Sequence, residues 1–198
     1  AETAYAAALA HSQVINSTEL IARSQKALGI LFRLRGDYGT ALDWLERARS
    51  AQEALGNELE LAEVLVETGR VQERTGNYMQ ARVEFESGLA LARQHQDHPL
   101  TTRTLLELGK VAEDQGSYKE ARSFFNESLE LWRQIGDKQG IAASLNDLGN
   151  LATNQGDYLT AQSFFKESLA LRQEIGDKQG VAVSLGNLGR VAFEQGDY

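Results

Sequence analysis

A Gly-x-Tyr triplet returns at Gly36-Asp37-Tyr38, Gly76-Asn77-Tyr78, Gly116-Ser117-Tyr118, Gly156-Asp157-Tyr158 and Gly196-Asp197-Tyr198, every 40 residues without a slip. A fixed period of this size marks a stacked repeat array, in which each unit is one supersecondary piece that can bury its apolar face only against its neighbours. Length therefore counts repeats rather than domains. The hydrophobic 42% of the 198 residues supplies a core drawn out along a line.

Between two triplets the pattern is helical twice. Ile141, Leu145, Leu148 and Ala152 recur at helical spacing until Gly156, a glycine at a C-cap position, and this is helix A of one repeat. Tyr158, Ala161, Phe165, Ser168, Leu169 and Leu171 carry a second helix, B, which ends at Gly176 and must fold back antiparallel to A. Asp177 is placed to cap the next helix A. The segment Ile135-Gly136-Asp137-Lys138-Gln139-Gly140 reappears letter for letter at 175–180. Residues 116–155 and 156–195 match at 23 of 40 positions, so the last units are near duplicates.

The repeating columns explain why a helix hairpin forms. Gly29, Gly69, Gly109, Gly149 and Gly189 sit mid-helix, where each costs roughly 0.5–1 kcal/mol relative to Ala, and close approach of helix B is the expected compensation. Opposite them runs a second small column, Ala41, Ala81, Ala121 and Ala161. Leu45, Phe85, Phe125 and Phe165 fill the space beside it, and Ala48, Gly88, Ser128 and Ser168 form a third small column. Alternating small and large columns let helices interdigitate.

Leu148-Gly149, Tyr158, Ala161, Phe165 and Ser168 resemble the tetratricopeptide repeat (TPR) signature, in register over four to five copies and across the whole chain. The resemblance implies an all-α fold, a right-handed TPR superhelix (α-solenoid) of antiparallel helix pairs. The expected boundaries make residues 1–198 a single array: 1–16 is helix B of a truncated repeat, 17–56, 57–96, 97–136 and 137–176 are full A/B repeats, and 177–198 is helix A of a truncated repeat. One departure is that the proline which often ends helix B is replaced by Glu53, Arg93, Arg133 and Gln173. Helix B is therefore expected to run on for about another turn and a half, accounting for a repeat longer than 34 residues. Long repeats of this kind are similar to those of spindle-orientation adaptors, kinesin light chains and the sensor arrays of bacterial signal-transduction ATPases.

Chemistry is sparse. With 28 acidic against 20 basic side chains the net charge is −8, a poor match for phosphate backbones, so nucleic acid is not an expected partner. No apolar run approaches the roughly 20 residues that span a bilayer, so no membrane association is expected, and the absence of cysteine fits a cytoplasmic location. His95-Gln96-Asp97-His98 could offer zinc ligands, but it fills a helix B to helix A linker ahead of Pro99, and structural zinc wants four ligands. The plainer reading is a polar linker, with no metal and no cofactor. His11 stands alone, no phosphate-binding glycine loop occurs, and the carboxylates are spread over helix faces. The expected function is therefore not enzymatic.

In TPR arrays the A helices line the concave surface, and the resemblance places the ligand-facing rows relative to the helix-A glycine. Three residues before it come Lys26, Val66, Leu106, Asn146 and Gly186; one after it come Ile30, Arg70, Lys110, Asn150 and Arg190. Flanking rows bring in Arg23, Glu63, Arg103, Ala143 and Val183, and Leu34, Arg74, Asp114, Asn154 and Glu194. Asn146, Asn150 and Asn154 stand at i, i+4, i+8 on one face with Asn187 in the next repeat, a ladder suited to an extended peptide backbone because an amide both donates and accepts. Such a stripe is also what any solvated helix face carries. Lys26 and Arg103 occupy two positions of the carboxylate clamp of chaperone-tail TPRs, but Ile30, Glu67 and Glu107 occupy others, which disfavours a chaperone tail. Glu63, Glu67, Glu73, Glu107 and Glu113 are close enough to neutralise Arg70, Lys110 and Arg190.

The expected binding residues are thus Lys26, Arg70, Arg103, Leu106, Lys110, Asn146, Asn150, Asn154, Asn187 and Arg190, on a scaffold for a protein or peptide partner. An effector-sensing array of a larger regulator is the alternative, and a self-assembling or engineered module is a third. Residues 1–16 align with helix B, Ala1 in the Ala41 place, Tyr5 in the Leu45 place and Ala8 in the Ala48 place, and Gly196-Asp197-Tyr198 announces a further helix B. Bare apolar ends of this kind make self-association a further expectation.

Overall fold

The computed structural model describes residues 17–196; the helix B read for residues 1–16, and Asp197-Tyr198, lie outside the described residues. Among the described residues there are nine α-helices and no strand: α1 (Thr18–Arg35), α2 (Tyr38–Leu55), α3 (Glu58–Arg74), α4 (Tyr78–Gln94), α5 (His98–Asp114), α6 (Tyr118–Ile135), α7 (Lys138–Asn154), α8 (Tyr158–Glu174) and α9 (Lys178–Gln195). Odd-numbered helices are of the A type and even-numbered ones of the B type, an all-α solenoid pattern of repeating helix pairs. No described helix is long and apolar enough to cross a membrane. The chain divides into two compact units, one ending at Leu100 and the other starting at Thr101.

The punctuation follows from short-range chemistry. Gly36, Gly76, Gly116, Gly156 and Gly196, the triplet glycines, all take positive φ, from 73 to 81°. There an L side chain would be strained and glycine is not. On the other side of the turn Asp37 and Asp157 accept from the amides of Thr40 and Thr160, each at 3.2 Å. Asp177 caps α9 by accepting from the Gly180 amide at 2.9 Å, and Asp137 caps α7 by accepting from Gln139 and Gly140. Glu53, Arg93, Arg133 and Gln173 lie inside the last turn of their B helices, which end at Leu55, Gln94, Ile135 and Glu174.

The B-to-A linkers use glycine in the same way at Gly56, Gly136 and Gly176, but the second linker places Gln96 there at φ 55°. A side chain in the left-handed region costs about 1–2 kcal/mol. Gln96→Gly is therefore expected to raise stability by about 1 kcal/mol after the larger chain entropy of glycine is subtracted, measured by urea denaturation.

Within the first unit the core gathers Ala41, Leu45, Ala48, Val64 and Val71. In the second, one cluster joins Ala112, Ala121, Phe125, Leu129, Leu145, Leu148 and Leu151, and another joins Ala152, Ala161, Phe165 and Val191. The helix-A glycines receive the large residue of helix B. A Cβ built on Gly69 or Gly149 would lie 2.6 Å from the ring of Phe85 or Phe165, and on Gly29 2.6 Å from Leu45; Gly109 meets Phe125 in the same way. Gly189 differs, with nothing near its would-be Cβ. The third small column is used too: Ser168 Oγ donates to the Ala142 carbonyl at 2.8 Å, and Ser128 Oγ to that of Thr102 at 3.2 Å. One compensation was invisible in the columns. Gly140 leaves room for the indole of Trp132, and Gly180 for Arg172, whose guanidinium donates to the Gly180 carbonyl at 2.7 Å.

Candidate functional site

In the first unit, packing α1 beside α3 brings residues about one period apart into reach. The Lys26 ammonium bonds Glu60, at 2.6 Å, and Glu63. Burial by itself would lower the pKa of this half-buried ammonium, but the bonds to Glu60 and Glu63 outweigh that and raise it. Arg33 Nε lies 3.0 Å from one oxygen of Glu67, and Arg70 lies 2.5 Å from the other. Arg23 reaches both Glu19 and Glu60. Lys26 and Arg70, expected to meet a partner, are therefore each engaged by carboxylates of the same surface.

In the second unit the same packing orders amides instead. Asn187 Nδ2 on α9 donates to Asn146 Oδ1 on α7 at 2.8 Å, and Arg190 donates to Asn150 Oδ1 at 2.8 Å. Asn154 Nδ2 donates to Glu113 Oε1 on α5 at 2.7 Å. Asn146, Asn150, Asn154, Asn187 and Arg190 are thus brought together, with Glu113 added, as a laterally bonded ladder over three successive A helices. Lys110 Nζ lies 3.4 Å from Glu107, and Arg103 is exposed on α5. Leu106 is half-buried and packs against the cluster around Leu145 and Leu148, so it forms an apolar floor more than a free anchor.

The sequence reading passed over Asp147. It lies two residues before Gly149, in the column that holds Glu67 and Glu107, and that column was the available signal. Burial pushes its carboxyl up to about 6; the charges of Glu107 and Glu113 act in the same direction, against Lys110 and a hydrogen bond with Asn146. Glu113 is also raised, by burial first and by Asp114, although the Asn154 bond opposes this. Burial is the first cause of both shifts, so the two raised carboxyls on adjacent A helices mark where packing takes water from this face.

The His95-Asp97 linker is occupied by local bonding. His95 Nε2 lies 2.9 Å from Glu58 Oε2, and Asp97 Oδ1 accepts from the Leu100 amide at 2.8 Å as a helix cap. Among the described residues no group of three or more His, Cys, Asp or Glu side chains is arranged to hold a metal ion.

The chain shares its fold with several solved structures. BtubC (BKLC) from P. vanneervenii matches with a TM-score of 0.86 at 18% identity, over 98% of this chain and 83% of that one. The Rap conjugation gene regulator of the plasmid pLS20, in complex with the Phr* peptide, matches with a TM-score of 0.73 at 19% identity, over 90% of this chain and 50% of that one. A Signal Transduction ATPase with Numerous Domains protein with a tetratricopeptide repeat sensor, from Pyrococcus horikoshii, matches with a TM-score of 0.80 at 14% identity, over 89% of this chain and 28% of that one. These likenesses show the fold alone, and no curated protein sequence matches. A family model described as tetratricopeptide repeat covers residues 60–134 and 140–198, well over half of the chain. With the helix pairs, the glycine-on-phenylalanine contacts and this match, the chain belongs to the tetratricopeptide repeat family.

Proposed function

We propose that the chain is a non-catalytic scaffold that holds an extended peptide or protein segment along the helix-A face of its second unit. Tetratricopeptide repeats in general mediate protein–protein interaction, and the proposal concerns where and how. The observation that carries it is the ladder of Asn146, Asn150 and Asn154, fixed sideways by Asn187, Arg190 and Glu113. An amide offers an acceptor oxygen and two donor hydrogens, so one lateral bond orients it and leaves capacity for a peptide backbone. Side chains already ordered lose little entropy on binding. The first unit supports the same reading by contrast, since its Lys26, Arg33 and Arg70 are engaged by Glu60, Glu63 and Glu67. The pLS20 Rap regulator, similar in fold, is in complex with a peptide.

Selection from a random peptide pool tests this. The chain is expected to enrich peptides on the order of tenfold better than an Asn146→Ala/Asn150→Ala/Arg190→Ala variant of unchanged helicity, about the worth of one or two hydrogen bonds. Equal enrichment by both proteins removes the site. A second reading, an effector-sensing array within a larger regulator, is favoured by the likeness to the Pyrococcus horikoshii sensor. It would use the same face and pass occupancy on to a neighbouring domain.

A further inference from the structure

The repeat shows what a carboxylate in one of its columns is built to hold. In the first unit Glu67, two residues before Gly69, lies between two guanidinium groups, Arg33 on α1 at 3.0 Å from one oxygen and Arg70 on its own helix at 2.5 Å from the other. Two periods later the same column holds Asp147, two residues before Gly149. Neither cation recurs with it: Glu113 stands in the column of Arg33, and Asn150 in that of Arg70. Both replacements are oriented by other bonds, Glu113 accepting from Asn154 and Asn150 from Arg190. The opposite charge that acts on Asp147 is Lys110, and that ammonium lies 3.4 Å from Glu107. Asp147 thus carries the carboxylate of the column without the guanidinium pair that the column holds in the first unit.

The surroundings suit a cation supplied from outside. Asp147 is half-buried, so it is not sealed from a partner, and it is hydrogen-bonded to Asn146 at the start of the amide ladder. We propose, resting on the peptide-binding reading above, that the segment held by the ladder carries an arginine whose guanidinium enters between α5 and α7 and pairs with Asp147, beside Glu113. Arginine fits better than lysine: its planar fork reaches a carboxylate through two donors, and it is more weakly hydrated than an ammonium. Burial alone pushes the Asp147 carboxyl up to about 6, and a guanidinium beside it acts in the opposite direction, favouring the charged form. An acidic side chain in the same place would meet Glu107, Glu113 and Asp147 and be rejected. Successive side chains of an extended segment point to opposite sides, so the arginine faces the helices while its two neighbours point away.

Selection from a random peptide pool on the full chain at neutral pH, followed by affinity measurements on one recovered peptide, tests this. The recovered peptides are expected to share an arginine. Replacing it by citrulline, which keeps the shape and removes the charge, is expected to weaken binding to the parent on the order of tenfold, about the worth of one charge-assisted hydrogen bond. Asp147→Asn, its folding checked by its melting temperature, is expected to lose most of that difference. Glu113→Arg returns a guanidinium to the column of Arg33 from within the chain and is expected to lose the preference as well. Arginine and citrulline forms that bind the parent equally overturn the inference and leave the scaffold reading standing. So does a citrulline penalty that is the same in the parent and in both variants, which would mean attraction to the net charge of −8 rather than to this carboxylate. A pool from which the chain recovers no peptide overturns the inference and the scaffold reading together.

Discussion

Gly149→Leu is expected to destabilise the second unit by at least about 3 kcal/mol, lowering the melting temperature by about 6–12 °C. The cause is steric and local. A Cβ alone on Gly149 would come 2.6 Å from Phe165, whose ring is fully buried against Ala161, Ala152 and Val191 and has nowhere to move. Leucine adds three further carbons to that clash. Ala161→Phe should act in the same direction, because Ala161 is fully buried in the same cluster. The internal control is Gly189→Ala, in the same column of the repeat but with nothing within 4 Å of the new methyl. At concentrations where the chain is monomeric, that change is expected to stabilise by up to about 1 kcal/mol through helix propensity alone. Opposite signs from two equivalent glycines, read by circular dichroism melts, would identify close helix packing rather than backbone flexibility as the reason for the column. A Gly149→Leu protein that melts with the parent would refute it.

Asp147→Asn is expected to stabilise the chain at pH 7 and to remove a pH dependence the parent shows. The Asp147 carboxyl is held at about 6 in the folded chain, against about 4 when unfolded. The folded state therefore binds the proton more readily than the unfolded one between these values. Stability is highest below about pH 4 as far as this group is concerned, and falls as the pH rises toward 6. A shift of this size corresponds to at most about 3 kcal/mol, reduced because Asp147 is only partly screened from water. The asparagine keeps the shape and removes the charge, so its curve should fall less steeply than the parent's over that range and meet it at low pH. Glu113, raised by burial first and on the neighbouring helix, is present in both proteins and should give both curves a common residual fall. Urea denaturation at a series of pH values measures both curves, and a parallel pair would show that burial of Asp147 carries no electrostatic cost.

Much of the fold was legible because its causes are local or periodic. The triplet glycines mark where the chain must take positive φ, and the structure has them there. The pairing of Gly149 with Phe165 followed from a small and a large column at a constant offset. Asp177 as a helix cap followed from its position before an apolar run. The candidate surface was legible only as a set of rows. Asn146, Asn150 and Asn154 could be placed on one face by counting, but that Asn187, Arg190 and Glu113 hold them required two more helices at a definite distance and rotation.

What the sequence determined by itself was the period, the helix pair, the turn chemistry and the family, because each depends on residues within one repeat or on identical copies of it. Tertiary structure decided which polar groups on that scaffold are already engaged and which are poised. Lys26 read as a binding cation until α1 and α3 were set side by side, bringing Glu60 and Glu63 to it. Asp147 drew no notice in the sequence, and its raised carboxyl comes from packing that takes water away and from Glu107 and Glu113 on α5 near it. Charge interactions fall off with distance and grow with desolvation, and neither quantity is written in the order of residues.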